Sequence, residues 1–449
     1  MPRVLFILVC LLVLQFQLFA QVEIGGYIKT DNRFRTQTAG NPFTWNENCL
    51  QLELKAKPSN NIRLYSELRL RTFGFPKIET SADLQRREKD AVQPWGLEFN
   101  EAYAEMSNFL IKKLDIKIGR QRIAWGSADK MNPTDNLNPD DLEDIFDFGK
   151  HLGSNAVQAN YYAGQYTLTG VLIPIFTPAV LPPPDWVAAF TPSFNLPIGL
   201  HVRNMTDRIE IPRNTFKESS MFGLKISRPV FEYDFSLSYF NGRDDLPLIT
   251  EAQVTPVDTY GKIDVDTKLI YPEMQVLGAD FSGQLFDIGL WAEAAVVFPK
   301  KYGMTIYLPN LQGTQEMQST ALDDNPYVRY VFGSDYTFKN GLYFNAQFIH
   351  GLFHERGRDN LGNYLVFGLE KKFLQDEVKI TFGSGALEIT DFGDIKNNYA
   401  YVFNPVLAYY PIDNAEILVG AYIIDGKSST TFGRVKKNDE VYVKVKYSF

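Results

Sequence analysis

The residues best placed to act together lie between Arg122 and Lys150. Asp129, Asp135, Asp140, Asp141, Glu143, Asp144 and Asp147 stand there against three bases, Arg122, Lys130 and Lys150, for a net charge of −4. Two Asn-Pro steps, Asn132-Pro133 and Asn138-Pro139, disfavour helix before each proline and favour fixed turns. A stiff acidic loop results. Carboxylates so held can line a water-filled passage, pair with neighbouring Arg and Lys at a rim, or take up Ca²⁺. A Ca²⁺ set would be Asp135, Asn138, Asp140 and Asp141, but the spacing and glycine of an EF-hand are absent, so no metal is expected.

Other constellations carry less. His350 and His354 could pair as metal ligands, yet two histidines near a strand end are more often ordinary rim residues, and His151 and His201 stand alone. No Gly-x-Ser-x-Gly elbow, glycine-rich phosphate loop or concentrated basic face occurs. The chain is therefore read as a non-enzyme without a cofactor and without a nucleic-acid partner.

The elements that must position the acidic loop are strands. Residues 1–20 carry one early positive charge, Arg3, an apolar run from Val4 to Leu14 and a small residue at Ala20, the pattern of a signal peptide cleaved near Ala20 and Gln21. Cys10 follows Val9 inside that run rather than a small residue, which argues against a lipid anchor. Cleavage removes one positive charge from a net of −8 and leaves Cys49 as the single thiol, with no disulfide or cysteine metal cluster available. Beyond Ala20 no run of eighteen apolar residues occurs, which excludes helical spans. Strands that hide apolar residues at every second position escape that test, and a mean hydropathy of −0.19 with 14% aromatics suits them.

Alternation recurs throughout residues 21–449. Ile62, Leu64, Leu68 and Leu70 oppose Arg63, Tyr65, Glu67, Arg69 and Arg71; Phe231, Tyr233, Phe235, Leu237 and Tyr239 oppose Glu232, Asp234, Ser236 and Ser238. The last nine residues behave alike, with Val441, Val443, Val445, Tyr447 and Phe449 on one face and Tyr442, Lys444, Lys446 and Ser448 on the other. The pattern predicts about eighteen strands, from 23–35 to 439–449, or sixteen if a weak pair is misread. Tight links at 58–61, 163–165, 228–229, 282–284, 338–341, 374–376 and 411–414 alternate with long connections at 74–95, 122–153, 175–215, 242–270 and 299–325. This is an all-β chain, a transmembrane antiparallel barrel with short periplasmic turns and long extracellular loops. Closure is obligatory, because an open sheet edge in hydrocarbon costs several kcal/mol per unpaired amide. A ring of sixteen to eighteen strands leaves room for water within.

The stretch after the predicted fifth strand holds Gly119, Arg120 and Gln121, then Trp125 and Gly126, then Asn132 and Pro133 ahead of Asp135. With this pattern the chain resembles the Gram-negative outer-membrane porin superfamily, and particularly an uncharacterised porin-like group sharing Gly-Arg-Gln, Trp-Gly and Asn-Pro-x-Asp. The final strand ending in Phe449 resembles the terminal strand read by outer-membrane assembly machinery. The resemblance implies an outer-membrane location, a lipid bilayer and that machinery as partners, and passive diffusion of small hydrophilic solutes. It also implies that loop 122–153 folds into the bore or caps it. Inside the bore, Asp129, Asp135, Asp140, Asp141 and Asp144 would face a basic wall of Arg63, Arg69, Arg71, Lys55 and Lys117, setting up a transverse field. The Pro-Glu-Phe-Gly-Gly pattern of the general porins is missing.

A second long connection, 175–215, mixes Pro178, Pro182, Pro183, Pro184, Pro192 and Pro197 with Phe176, Val180, Leu181, Trp186, Val187 and Phe190. Such a loop either packs on its neighbours, the favoured reading, or receives hydrophobic solutes, which is the alternative function. An apolar strand face serves lipid and a second barrel equally well, so the oligomeric state is not legible.

Overall fold

The computed structural model describes residues 22–85, 90–190, 201–258, 261–310 and 313–449. The expected signal peptide, Cys10, Pro192 and Pro197 lie outside these residues. Among the described residues no helix is long and apolar enough to cross a membrane.

The chain runs up and down through β1 (Val22–Arg35), β2 (Phe43–Ser59), β3 (Ile62–Phe73), β4 (Trp95–Met106), β5 (Leu114–Gln121), β6 (Ser154–Ala163) and β7 (Tyr166–Ile173). After β8 (His201–Glu210) come β9 (Met221–Val230) and β10 (Tyr233–Arg243), then β11 (Leu248–Pro256), β12 (Lys262–Ile270), β13 (Glu273–Leu285) and β14 (Ile288–Pro299). The remainder comprises β15 (Tyr302–Asn310), β16 (Gly313–Leu322), β17 (Tyr327–Thr337), β18 (Leu342–His350), β19 (Asn363–Phe373), β20 (Val378–Thr381) and β21 (Gly385–Ile389). The last four are β22 (Tyr399–Phe403), β23 (Val406–Tyr409), β24 (Ala415–Gly426) and β25 (Glu440–Ser448).

Twenty of these form one antiparallel sheet. β20 and β21 both pair with β19, and β22 and β23 both pair with β24, so each couple is one interrupted strand and the ring has eighteen members. It closes where β1 pairs with β25 from Tyr27 opposite Ser448 to Arg35 opposite Glu440. No edge is left, as the argument from backbone amides requires.

Period-two alternation sets which face looks out. On β25, Val443, Val445 and Tyr447 are exposed while Tyr442 is buried, and on β1 Ile28 is exposed while Arg33 is buried. Inward polar groups bond across strands toward the tight-turn end, as in Tyr27 Oη to Gln51 at 2.9 Å and Thr169 Oγ1 to Asn160 at 2.8 Å.

Two expected turns move. The β9–β10 turn falls at Phe231 rather than 228–229, and the β13–β14 turn at Phe286 rather than 282–284. Both phenylalanines adopt positive φ, 56° and 55°, and stand out at the rim. A Phe in that conformation leaves no glycine or asparagine signature, and it reads as one more strand residue.

Three long connections expected to be loops contain strands. β16, β15, β11, β12 and β8 make a separate five-stranded sheet at the long-loop end, with β11–β15 and β12–β8 parallel. The alternating Ile263, Val265 and Thr267 are buried in it, but their partners come from distant loops, which no local pattern announces.

The inward alternation is polar only in part of the barrel. At the long-loop end Val171, Ile173, Met221, Phe240, Val276, Ala295 and Val297 point in and join Ile123, Trp125, Leu137 and Phe176 in one apolar cluster. A second cluster joins inward Val331, Ile349, Tyr364, Ala400 and Ile424 to Ile145, Trp186, Ala189, Leu352, Phe432 and Val435. These wall positions meet folded-in loops rather than water.

Candidate functional site

The acidic loop leaves β5 through Gln121, which is fully buried and donates to the Ala156 carbonyl at 3.0 Å. Gly119, at φ 131°, lets β5 lie so close to β4 that an added Cβ would stand 2.8 Å from the Tyr103 Cα. Arg120 bonds back to the Phe99 carbonyl at 2.7 Å. Asn138 then fastens the loop's two stems. Its Oδ1 accepts from the Ile123 amide at 2.6 Å, and its Nδ2 donates to the Gln121 and Leu152 carbonyls and to Ser154 Oγ. Arg122 and Asp135 pair beside it.

From these stems the loop crosses the bore. On one side Glu293 of β14 accepts from the Ser127 and Ala128 amides at 2.6 Å, from Asn132 Nδ2 at 2.7 Å and from Thr134 Oγ1 at 2.9 Å. Gly126, at φ 91°, is where the chain turns tightly against this carboxylate, and the amide of Asp135 closes the Pro133 turn by donating to the Asn132 carbonyl at 3.0 Å. Gln347 of β18 brackets Asp129, accepting from its amide at 3.1 Å and donating to its carbonyl at 3.0 Å. Trp125 is buried against Gly223 of β9, where an added Cβ would stand 2.6 Å from the indole.

The other side is ionic. Arg33 of β1 donates to Asp144 at 2.8 Å and to Asp31 at 2.8 and 3.1 Å. Arg71 of β3 donates to Glu143 of the loop at 2.7 Å, and to Glu98 and Glu47 of the wall. Nearby, Phe146 lies flat on Tyr422 of β24 with ring centroids 3.4 Å apart. A cavity of about 40 Å³ remains between Arg33, Arg35, Glu143, Asp144 and Glu440, while one of about 70 Å³ lies where the loop meets Asp245, Arg243 and Arg329.

Electrostatics differ along the loop. Burial alone would raise the Asp144 carboxyl, but the bonds and charge of Arg33 outweigh it and hold the group below the usual carboxylate range. Asp140 lacks such a cation. Burial, then Asp245, push its carboxyl up, and burial with Asp244 pushes Asp245 up to about 7. The Asp140 amide donates to Asp245 at 2.6 Å, and His151 Nδ1 stands 3.1 Å from Asp140 Oδ1, its imidazole pushed down by burial.

The sequence-derived acids are thus spread over separate partners: Asp135 on Arg122, Asp140 on His151, Asp141 on Lys150 at 2.5 Å, Asp144 on Arg33, with Asp129 exposed. Of the five bases, Arg71 meets the loop, through Glu143. Arg63 faces Glu105 at 4.0 Å, Arg69 faces Glu98 at 3.6 Å, Lys55 faces Glu53 at 3.2 Å, and Lys117 lies 3.7 Å over the Tyr103 ring. Arg33, Glu293 and Gln347 escaped the sequence reading, although each is a polar residue at an inward position of an alternating stretch. The Pro-rich connection forms a short helix, α1 (Pro184–Phe190), whose Trp186 meets Phe146 edge-on at 5.1 Å. His350 bonds Asn363 and stacks on Tyr330, whereas His354 packs against Phe190 and Phe353.

No family model matches the chain, and no curated protein matches it. Among solved structures it is similar to OmpF of Salmonella typhi in complex with daunomycin, at 10% identity and a TM-score of 0.41 over 96% of this chain and 98% of that one. It is also similar to OmpT, an outer-membrane protein of Vibrio cholerae, at 8% identity and a TM-score of 0.42 over 96% and 98%, and to its loop L8 deletion mutant at 8% and 0.41 over 96% and 100%. Values at this level assign neither a family nor a ligand.

Proposed function

We propose that the protein is an outer-membrane channel that passes small hydrophilic solutes passively, with loop 122–153 setting the width of the route. One observation carries the reading: a single loop reaches from Arg33 and Arg71 on one wall to Glu293 and Gln347 on the other. A loop placed so obstructs the bore without sealing both sides alike. Toward β9, β14 and β18 it is joined by apolar packing and by hydrogen bonds to the buried Glu293 and Gln347 side chains, which exclude water. Toward β1–β4 it rests on ion pairs whose cations, Arg33 and Arg71, are buried but whose carboxylates Glu143 and Glu98 stay partly exposed. Solvated charges tolerate a file of water beside them, so the route runs along the β1–β4 wall.

The outward apolar face calls for hydrocarbon around the ring. The tight turns then lie in the periplasm and the five-stranded sheet outside. Phe449 ends the strand offered to the assembly machinery. The apolar connection after β7 supports this reading over a route for hydrophobic solutes, because Trp186 and Ala189 are already buried beside Phe432 and Val435. Swelling of proteoliposomes in isotonic solutes of rising size tests the proposal. Swelling that falls off with solute size is expected; vesicles that never swell, or that take up fatty acid instead, would overturn it.

A further inference from the structure

The turn-end side of the crossing loop presents carboxylates that no protein cation neutralises, beside a partly exposed indole. On β14, β17 and β18 three inward levels follow one another, each two residues and ~7 Å from the next. The first is Glu293–Val331–Ile349, where the loop is anchored; the second is Trp291–Gly333–Gln347; the third is Gly289–Asp335–Asn345. Gly333 has no side chain because the Trp291 indole lies flat over it: an added Cβ would stand 2.5–2.6 Å from the ring. The indole is thereby pressed to the wall at Gly333, and Trp291 keeps part of its surface exposed. Its Nε1 donates to Gln347 Oε1 at 2.8 Å, and the same oxygen accepts from the Asp129 amide, so the indole and the exposed Asp129 share an anchor.

One level further, Asp335 accepts from Tyr343 Oη at 3.0 Å. It also lines a groove of about 580 Å³ together with Gln284, Asp287, Gly289 and Thr337. Among the described residues no Lys, Arg or His lines that groove, and neither Asp129 nor Asp335 has an ion-pair partner. Lys130, beside Asp129 in sequence, lines the cavity on the rim side of the loop instead.

We propose that Trp291, Asp335 and Asp129 form a solute subsite for an organic cation, an alkylammonium stacked on the indole face with its charge offset by the two carboxylates. An aromatic face attracts cations through its quadrupole, and indole does so most strongly. Carboxylates left without a protein cation supply the complementary charge. A neutral sugar would use the ring face but would leave both carboxylates uncompensated, and an organic anion would be repelled. The assignment rests on the channel reading, since it names the solute class that the channel selects.

The test uses the purified full chain and tetraethylammonium, with glucose and methanesulfonate as neutral and anionic comparators. Calorimetry in detergent reads the subsite without any need for current, and single-channel recording in planar bilayers reads the passage. The subsite predicts measurable heat and current interruptions for tetraethylammonium alone. It also predicts at least a tenfold loss of affinity in Trp291→Ala and in Asp335→Asn, with Trp291→Phe retaining most of it. Equal binding of glucose, or unchanged affinity in Asp335→Asn or in Trp291→Ala, overturns the subsite. A protein that binds tetraethylammonium in detergent but carries no current overturns the channel reading and leaves the cation assignment standing.

Discussion

Arg33 of β1 grips Asp144 of the crossing loop with both outer guanidinium nitrogens, while Asp31 on the same strand occupies the rest of the fork. Two carboxylates from different parts of the chain therefore share one buried cation, with Lys444 adding charge at 3.3 Å from Asp31. Arg33→Ala removes the centre of this arrangement and leaves buried acids without it, an expected loss of ~3 kcal/mol. The loop should then be cut by trypsin near Lys130 and Lys150 while the barrel stays folded. Mass spectrometry of the digest checks this, and an uncut loop would speak against the clamp.

Glu293 tests the opposite anchor. Glu293→Ala deprives the Ser127 and Ala128 amides and the Thr134 hydroxyl of their acceptor at once, a cost of ~2–4 kcal/mol, whereas Glu293→Gln keeps one carbonyl oxygen for them and should cost less. Thermal unfolding in detergent should rank parent above Gln above Ala. Equal midpoints would mean that the loop does not depend on this wall.

Asp245 offers a pH-dependent readout with a fixed sign. Its carboxyl is raised to about 7 by burial and by Asp244, against 3.8 ordinarily, so the folded form keeps a proton that the unfolded form releases. Stability linked to this group is full below the ordinary value and is lost as pH rises through about 7. Asp245→Asn, which resembles the protonated acid, should therefore stabilise the protein more at pH 8 than at pH 5, by on the order of 1–3 kcal/mol. Comparing variant with parent at each pH removes most of the contribution of His151 and His354, whose imidazoles burial pushes down, while Asp140, which Asp245 pushes up, changes with the variant in the same sense. A variant effect independent of pH would contradict the assignment.

The outward face makes a depth-dependent prediction. Val443 lies mid-strand on the exposed face of β25 and Tyr447 near its end. Val443→Arg should cost ~2–4 kcal/mol in vesicles and Tyr447→Arg at most ~1 kcal/mol. Refolding titrations in urea measure both, and equal costs would argue against a hydrocarbon belt.

What the sequence displayed was local. Strand faces such as Val441 to Phe449 show themselves because side-chain direction has a period of two, and closure follows from the absence of any satisfied edge. The acidic loop was visible as composition, and its Asn-Pro turns as chemistry. Its partners were not, since Arg33 and Glu293 are separated from it by about a hundred residues or more and are ordinary inward polar positions. The apolar inner wall was half-visible: Ala294, Ala295, Val296, Val297 and Phe298 form an unbroken run, the signature of a strand covered on both faces. The five-stranded outer sheet was hidden because its strands meet only after three separate loops converge. The Phe231 and Phe286 turns were hidden because their backbone conformation is unusual for their residue type.

Single-channel conductance of the parent and of Glu293→Ala, recorded side by side in planar bilayers, bears most directly on the claim that a loop spanning a closed barrel limits passage. Small, stable current steps are expected from the parent, and larger or noisier steps once the β14 anchor is gone. Steps of identical size in the two proteins, or a sealed bilayer with both, would contradict it.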